Sequence, residues 1–275
     1  MSRKVEGHQA RKRFGQNFLH DPGVIQRIGR CINPKPSDFM VEIGPGMGAL
    51  TEDLLAGTNG NLHVVELDRD LIPGLRVKFF NHAGFHIHEA DALKFDFSSL
   101  PRGEQPLRIV GNLPYNISTP LIFHLLSYAG MVKDMHFMLQ KEVVDRLAAR
   151  PGDKEYGRLG IMAQYYCDVQ HMFDVGPGAF KPAPKVDSAI VRLVPYASPK
   201  YPAKDVRTLE NVVRTSFSQR RKTLRNNLKQ IFADVDVLTG IGIDLQARPE
   251  TLDLPDFVKI ADFLFDLQQQ ETSRG

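Results

Sequence analysis

From residue 39 onward the chain alternates short apolar runs with stretches in which apolar residues recur every three or four positions. Phe39–Ile43, Leu62–Glu66, Phe85–His88, Leu107–Gly111 and Met135–Leu139 read as strands, and Ala49–Ala56, Arg69–Phe80 and Ser118–Tyr128 between them read as helices. That order predicts an α/β fold whose mostly parallel sheet is covered on both faces. Two later runs, Val169–Val175 and Ser188–Val194, flank the Gly/Pro-rich Gly176–Pro184 and predict a hairpin that adds one antiparallel strand. Pro195, Pro199 and Pro202 then make a stiff linker, after which the pattern is helical with no strand run. Two domains are expected: residues 1–195, and a small all-helical domain over 196–275.

Composition adds bounds. The chain has 275 residues, 42% hydrophobic and 24% charged, the proportions of an ordinary soluble globular protein. A net charge of +3 selects no partner, but its distribution is uneven. Residues 1–13 carry Arg3, Lys4, Arg11, Lys12 and Arg13 against Glu6, a basic arm of net +4. Residues 200–229 hold nine Lys/Arg against Asp205 and Glu210, a net +7, whereas residues 230–275 are net −6. Two cysteines, Cys31 and Cys167, are too few for a disulfide framework and point to a reducing compartment. No apolar segment follows the N-terminal charges as in a secretory signal, and no run approaches the ~18 apolar residues of a membrane helix. A cytoplasmic protein without membrane contact is expected.

The run Val41-Glu42-Ile43-Gly44-Pro45-Gly46-Met47-Gly48-Ala49-Leu50 reads as a strand end, a glycine turn and a helix start. Glycines let the backbone turn sharply and approach a ligand, and the helix N-terminus offers free N–H groups. Two ligand classes use such a turn. Gly44-x-Gly46-x-x-Ala49 meets the relaxed dinucleotide fingerprint, with Glu66 at the next strand end to hold ribose hydroxyls. Glu42-x-Gly44-x-Gly46-x-Gly48 equally fits the loop of S-adenosylmethionine (SAM) methyltransferases. Either way an adenosine-type ligand is predicted, and the loop alone leaves the chemistry open. Asp91, just past the third strand, suits the amino group of such an adenine or a helix cap.

Gly111-Asn112-Leu113-Pro114-Tyr115 follows the fourth strand, at the carboxyl edge where open α/β sheets bind ligands. An adenine N6 is a poor nucleophile because its lone pair is delocalised into the ring. Two acceptors gripping its N–H bonds, the Asn112 side-chain oxygen and the Leu113 carbonyl, would favour a pyramidal nitrogen. Asn accepts without adding charge beside a sulfonium, and Tyr115 offers a face for a base removed from its helix, worth ~1–3 kcal/mol.

On a helical wheel Val213, Phe217, Leu224, Leu228 and Ile231 form one seam, with Arg214, Arg221, Lys222, Arg225 and Lys229 beside it. A basic stripe next to a buried seam suits RNA, whose A-form helices are read mostly through phosphates and shape; the bland alternative is a solvated face. Other candidates carry less. His86-x-His88-Glu89 lacks a third ligand at matching spacing, so no metal is expected. No P-loop is present, Ser188 has no nucleophile elbow, and Asp68 and Asp70 read as helix-capping carboxylates.

Over nearly its whole length the chain resembles the small-subunit (16S-type) rRNA adenine N6,N6-dimethyltransferases of the kasugamycin-resistance type. The resemblance is carried by Arg11–Leu19, Glu42–Gly46, Glu66–Asp68, Asn112–Pro120, Phe137–Glu142, Phe180–Ser188 and Gln219–Thr223. It implies a Rossmann-like SAM-methyltransferase sheet and SAM contacts from Asn17, Leu19, Gly44, Gly46, Glu66, Asp91 and Asn112. It also implies catalytic roles for Asn112, Leu113 and Tyr115, with Phe180 opposing Tyr115 so that the target adenine is sandwiched. From the residues alone Phe180 reads as a loop residue packing on the Pro182–Pro184 turn. The implied activity is dimethylation of two adjacent adenosines in the 3′-terminal hairpin of small-subunit rRNA during ribosome assembly. The implied partner is the small subunit with its rRNA; no protein partner is identifiable, and a monomer is expected. A nicotinamide dehydrogenase, a non-catalytic RNA-binding assembly factor and a large-subunit rRNA methyltransferase are the rivals.

Overall fold

The computed structural model describes residues 17–273 together with two short strands, β1 (Lys4–Val5) and β2 (His8–Gln9), which pair antiparallel. The rest of the basic arm lies outside the described residues. Strand β3 (Phe18–Leu19) leads into helix α1 (Pro22–Ile32), an element the hydrophobic pattern did not announce. Its ends are chemically well defined. Asp21 accepts a hydrogen bond from the Val24 N–H at 3.0 Å, Pro22 occupies the first turn, and Asn33 closes the helix in the left-handed region. Ile28 and Ile32, four apart, are its buried stripe.

The alternation then runs β4 (Phe39–Ile43), α2 (Ala49–Gly57), β5 (Leu62–Glu66), α3 (Ile72–Lys78), β6 (Phe85–Glu89), β7 (Leu107–Asn112), α4 (Ser118–Leu126) and β8 (Val132–Gln140). Helices α5 (Lys141–Ala148) and α6 (Arg158–Tyr166) precede β9 (Cys167–Val175), β10 (Phe180–Lys181) and β11 (Ser188–Pro195). A seven-stranded sheet results, in the order β6-β5-β4-β7-β8-β11-β9. From β6 to β8 neighbours are parallel, and β11 runs antiparallel to β8. The central strands are buried almost throughout, as expected for parallel strands covered on both faces. Because β4 and β7 lie side by side, a Cβ on Gly111 would run into the carbonyl oxygen of Ile43, so glycine is needed there. Parallel pairing also brings the carboxyl ends of β4, β5 and β7, hence Ile43, Glu66 and Asn112, to one edge.

The chain divides into two compact units. The first comprises the described residues up to Val144 together with Asp168–Pro195. The second comprises Asp145–Cys167 and everything from Tyr196. Sequence pattern assigned 145–167 to the N-terminal domain, and the hydrogen bonds it makes show why it groups otherwise. Gly152 N–H donates to Glu250 O (2.8 Å), Arg220 donates to the carbonyls of Lys154 (2.6 Å) and Tyr156 (3.3 Å), and the Ala203 N–H reaches the Tyr165 hydroxyl. The rest of this unit is α7 (Val206–Ser216), α8 (Leu224–Leu228) and α9 (Leu254–Thr272) with connecting turns. The Phe217 and Phe257 rings meet at 5.9 Å in its core.

Candidate active site

At the carboxyl edge the described residues enclose a cavity of about 350 Å³. Every residue expected to touch the cofactor lines it: Asn17, Leu19, Gly44, Gly46, Glu66, Asp91 and Asn112. Leu113 and Tyr115 line it too. The loop after β4 explains its glycines, since Gly44, Gly46 and Gly48 all sit in the left-handed region, at φ of 66°, 58° and 78°. At Gly48 a side chain would also press into the Phe79 ring at 2.7 Å. The loop ends at the N-terminus of α2, leaving its first amides beside the cavity.

The electrostatics decide between the two ligand classes that the loop left open. Glu42, Glu66, Asp68 and Asp91 line the cavity, and among the described residues no Lys or Arg does. Glu66 accepts from the Asp68 N–H at 2.8 Å and the Gly46 N–H at 3.4 Å. Burial nevertheless pushes its carboxyl up to about 7, with the neighbouring Asp68 adding to the rise. Glu42 accepts from the Thr51 hydroxyl at 2.6 Å and is also raised by burial to about 7, with Glu66 contributing. A pyrophosphate would find no countercharge here. A ligand carrying an ammonium and a sulfonium would find four carboxyl groups, an acceptor for ribose hydroxyls and a glycine cradle.

Asn112 has a defined orientation. Its amide nitrogen donates to the Asn17 carbonyl at 3.1 Å, which leaves its oxygen as the acceptor it presents. The Leu113 N–H donates to Met138 O at 3.1 Å, pinning the next residue to β8 and leaving the Leu113 side chain buried. Tyr115 shares a hydrogen bond with Ser188 of β11 at 2.8 Å, and burial raises its phenol above the ordinary value. Asp91 commits one carboxyl oxygen to the Leu93 N–H at 3.0 Å.

Several expectations need correction. Phe180 does not line the cavity; it is 2% exposed, pairs through β10 with Leu19 of β3, and belongs to an apolar cluster with Ile28, Met138 and Ile190. Among the described residues its ring packs in that cluster and makes no ring contact with Tyr115. Asp68 does more than cap: its Oδ1 accepts from the Asp70 N–H at 3.2 Å in the turn that leads into α3, and it is at the same time a buried part of the cavity wall. Glu42 was visible only as part of a motif, and its place in the wall follows from the end of β4. His86 and His88 stack with His63 in a ladder across β5 and β6, His63 and His88 joined at 3.0 Å. Among the described residues no group of three His, Cys, Asp or Glu is arranged to hold a metal.

In the second unit the expected continuous basic helix is broken. Phe217–Thr223 is a turn between α7 and α8. The buried Asn227 amide donates to the carbonyls of Ser216 (2.7 Å) and Gln219 (3.3 Å), closing α7. The first amides of α8 donate to Ala247 O and Leu245 O instead of continuing the helix. Arg214 therefore stands on α7, Arg221 and Lys222 in the turn, Arg225 on α8 and Lys229 at its end. Four of the five are exposed, and Arg225 is half-buried against Asp236.

A doubly covered α/β sheet with a glycine-cradled acidic cavity at its carboxyl edge defines a SAM-dependent methyltransferase. The model of the ribosomal RNA adenine dimethylases matches residues 7–266, and the chain belongs to that family. It is 70% identical over 266 residues to ribosomal RNA small subunit methyltransferase A of Marinobacter nauticus, covering 97% of this chain and 95% of the relative. The protein of that name from Hahella chejuensis is 66% identical over 260 residues, covering 94% of each. Among solved structures, a dimethyladenosine transferase from Plasmodium falciparum matches at a TM-score of 0.77 and 29% identity, covering 88% of this chain and 95% of that one. The 23S rRNA methyltransferase ErmE matches at 0.70 and 26%, covering 90% and 100%.

Proposed function

We propose that this enzyme transfers methyl groups to N6 of two adjacent adenosines in the 3′-terminal hairpin of small-subunit rRNA, giving N6,N6-dimethyladenosine during ribosome assembly. The observation that carries the reading is Asn112, whose amide is held by Asn17 so that its oxygen is offered as an acceptor beside Leu113 and Tyr115. SAM, when bound, supplies an electrophilic methyl group on a sulfonium. Glu66 would hold its ribose, Asp91 its adenine, and Asn17, Leu19, Gly44 and Gly46 would shape the pocket around it. The Asn112 oxygen and the Leu113 carbonyl accept the two N6–H bonds of the target and turn the lone pair out of the ring plane. Tyr115, fixed by Ser188, supplies the stacking face. No strong base is required: the alkylated nitrogen is acidic, and its proton goes to water. Positioning then supplies most of the rate.

Phe180 would oppose Tyr115 across the target base and complete the sandwich. The basic residues Arg214, Arg221, Lys222, Arg225 and Lys229 would contact rRNA phosphates, making 196–275, with 145–167 packed beside it, the RNA-binding domain and the remainder up to 195 the catalytic one. Among the described residues no helix is long and apolar enough to cross a membrane. In this reading the enzyme works on ribosomal subunits in the cytoplasm, as a monomer. The deciding experiment supplies labelled SAM with undermethylated small subunits, and in parallel with large subunits, followed by nucleoside mass spectrometry and mapping of the modified base. Label confined to two adjacent adenosines of the small-subunit 3′ hairpin is expected; label in large-subunit rRNA alone would replace this substrate assignment.

A further inference from the structure

His136, on β8, lines the cavity, is only 3% exposed, and neither of its ring nitrogens has a hydrogen-bond partner among the described residues. A buried polar group left without a partner costs about 1–3 kcal/mol, so one facing a cavity is matched to something that enters it. Its polar neighbours are already engaged: Asp134, two residues back on the same face, is held by Arg108 at 2.8 and 3.0 Å and faced at 3.9 Å by Arg192, the register partner of His136 on β11, while Leu19, Ile28, Met138 and Ile190 line the cavity as one apolar cluster. Burial holds the ring neutral, lowering it to about 4, with Arg108 and Arg192 lowering it further against Asp134. A neutral imidazole has one N–H to give and one lone pair to offer.

The register says which ligand group can reach it. On β7 and β8, Asn112 lies opposite Met138 and Val110 opposite His136, so His136 is one pleat repeat deeper than the Asn112 row. A target base stays joined to an RNA backbone outside the protein, so it belongs near the mouth with Tyr115 and the exposed Asn116. The adenosine of the cofactor is placed by Asp91 and Glu66, beyond β6 and β5, on the other side of β4 and β7 from His136. What remains is the amino-acid end of the cofactor, whose ammonium donates and whose carboxylate accepts. We propose that His136 is a cofactor-binding residue that hydrogen-bonds the amino-acid end of S-adenosylmethionine. The inference rests on the adenosine placement just given.

Calorimetry on the full chain with two probes separates the possibilities: S-adenosylhomocysteine, which has the amino-acid end, and 5′-methylthioadenosine, which lacks it. His136→Leu is expected to weaken S-adenosylhomocysteine about ten-fold or more and to leave 5′-methylthioadenosine within about two-fold, as for one lost hydrogen bond to a charged group. His136→Gln should recover part of the loss, and Glu66→Gln should weaken both probes. Equal weakening of both by His136→Leu, or of neither, overturns the proposal. Sparing of both by Glu66→Gln overturns the adenosine placement and the proposal with it; loss of both there with no effect at His136 sinks the proposal alone. Should His136→Leu not fold, the ring 15N resonances of His136 in the unaltered protein give the same decision. They should move with S-adenosylhomocysteine and stay with 5′-methylthioadenosine, and identical responses to the two overturn the assignment.

Discussion

The two ends of the same parallel strands bury charge in opposite ways. At the amino end, Arg108 of β7 donates Nε to Asp134 Oδ1 (2.8 Å), Nη2 to Asp134 Oδ2 (3.0 Å) and Ile32 O (2.6 Å), and Nη1 to Asp38 (2.6 Å). Lys133 adds an ion pair to Asp38 at 3.2 Å. Burial opposes the charge on Arg108 and Asp38, but these hydrogen bonds outweigh it, so Arg108 ends above and Asp38 below its ordinary value. At the carboxyl end Glu42 and Glu66 are equally buried, have no salt-bridge partner among the described residues, and are driven up to about 7. A scaffold completes its buried charges internally. A binding site leaves them incomplete for a ligand that brings the missing charge.

The largest effect should come from the completed end. Arg108→Met would strand Asp38, Asp134 and the carbonyl that ends α1, and breaking one partner of a buried ion network typically costs about 3–5 kcal/mol. Denaturant unfolding of the ligand-free protein measures this directly. A loss under about 1 kcal/mol would mean the network is screened by water and the contrast between the two ends is weaker than the geometry indicates.

Asn112→Ala tests the other end with the opposite signature. Methyl transfer should fall by ~10²–10³-fold, the scale of other polarising groups removed from a reacting centre, while unfolding stability changes little. S-adenosylhomocysteine affinity should fall less than turnover. Near-normal single-turnover rates would remove Asn112 from the chemistry.

These two residues also mark what the sequence made legible. Asn112 could be read because a strand end followed by Asn-Leu-Pro-Tyr has a chemical purpose that local sequence expresses. The glycine loop and the strand order from β4 to β8 were legible for the same reason, since each is written in neighbouring residues. What escaped was non-local. Asn227 ends α7 by bonding carbonyls eight and eleven residues back, which no helical wheel registers. Phe180 is drawn into the core by its pairing with Leu19. Asp68 has the sequence surroundings of a cap, and only the fold puts it in the cavity wall. His136 is an ordinary strand residue by sequence, and only its unpartnered surroundings set it apart.

The unpaired carboxyls give the comparison a pH signature. Both hold protons more tightly in the folded, ligand-free protein than in the unfolded chain, where a Glu titrates near 4.5. Their contribution to stability is therefore full below about pH 4.5 and is lost as pH rises through about 7. His63 and His136, lowered by burial to about 4, act in the opposite sense but only below about 6.5. Between pH 6.5 and 8 the carboxyls stand alone, and the ligand-free protein should lose roughly 1–2 kcal/mol of unfolding free energy. Glu42→Gln should flatten that decline. Affinity for the cationic cofactor should rise over the same interval, because ionised carboxyls receive it; a flat affinity profile would place the ligand's charge elsewhere.

The smallest effects belong to charges at the surface, and they set the scale for the other two. In the second unit Arg221 and Lys222 are exposed in the turn after α7, while Arg225 is bound by Asp236 through Nη1 and Nη2. An ion pair this exposed contributes little to folding and is screened by salt, but it competes with phosphate for the same guanidinium. Removing one phosphate-binding cation should lower the log–log salt dependence of rRNA binding by about 0.7–0.9. Arg221→Ala and Lys222→Ala should each show that decrement, and Arg225→Ala a smaller one. Asp236→Asn frees Arg225 and should raise both affinity and salt slope, with cofactor affinity unchanged throughout. If Arg225→Ala matches the other two, Asp236 releases its partner without cost, and pairing at the surface has no bearing on what a charge can bind.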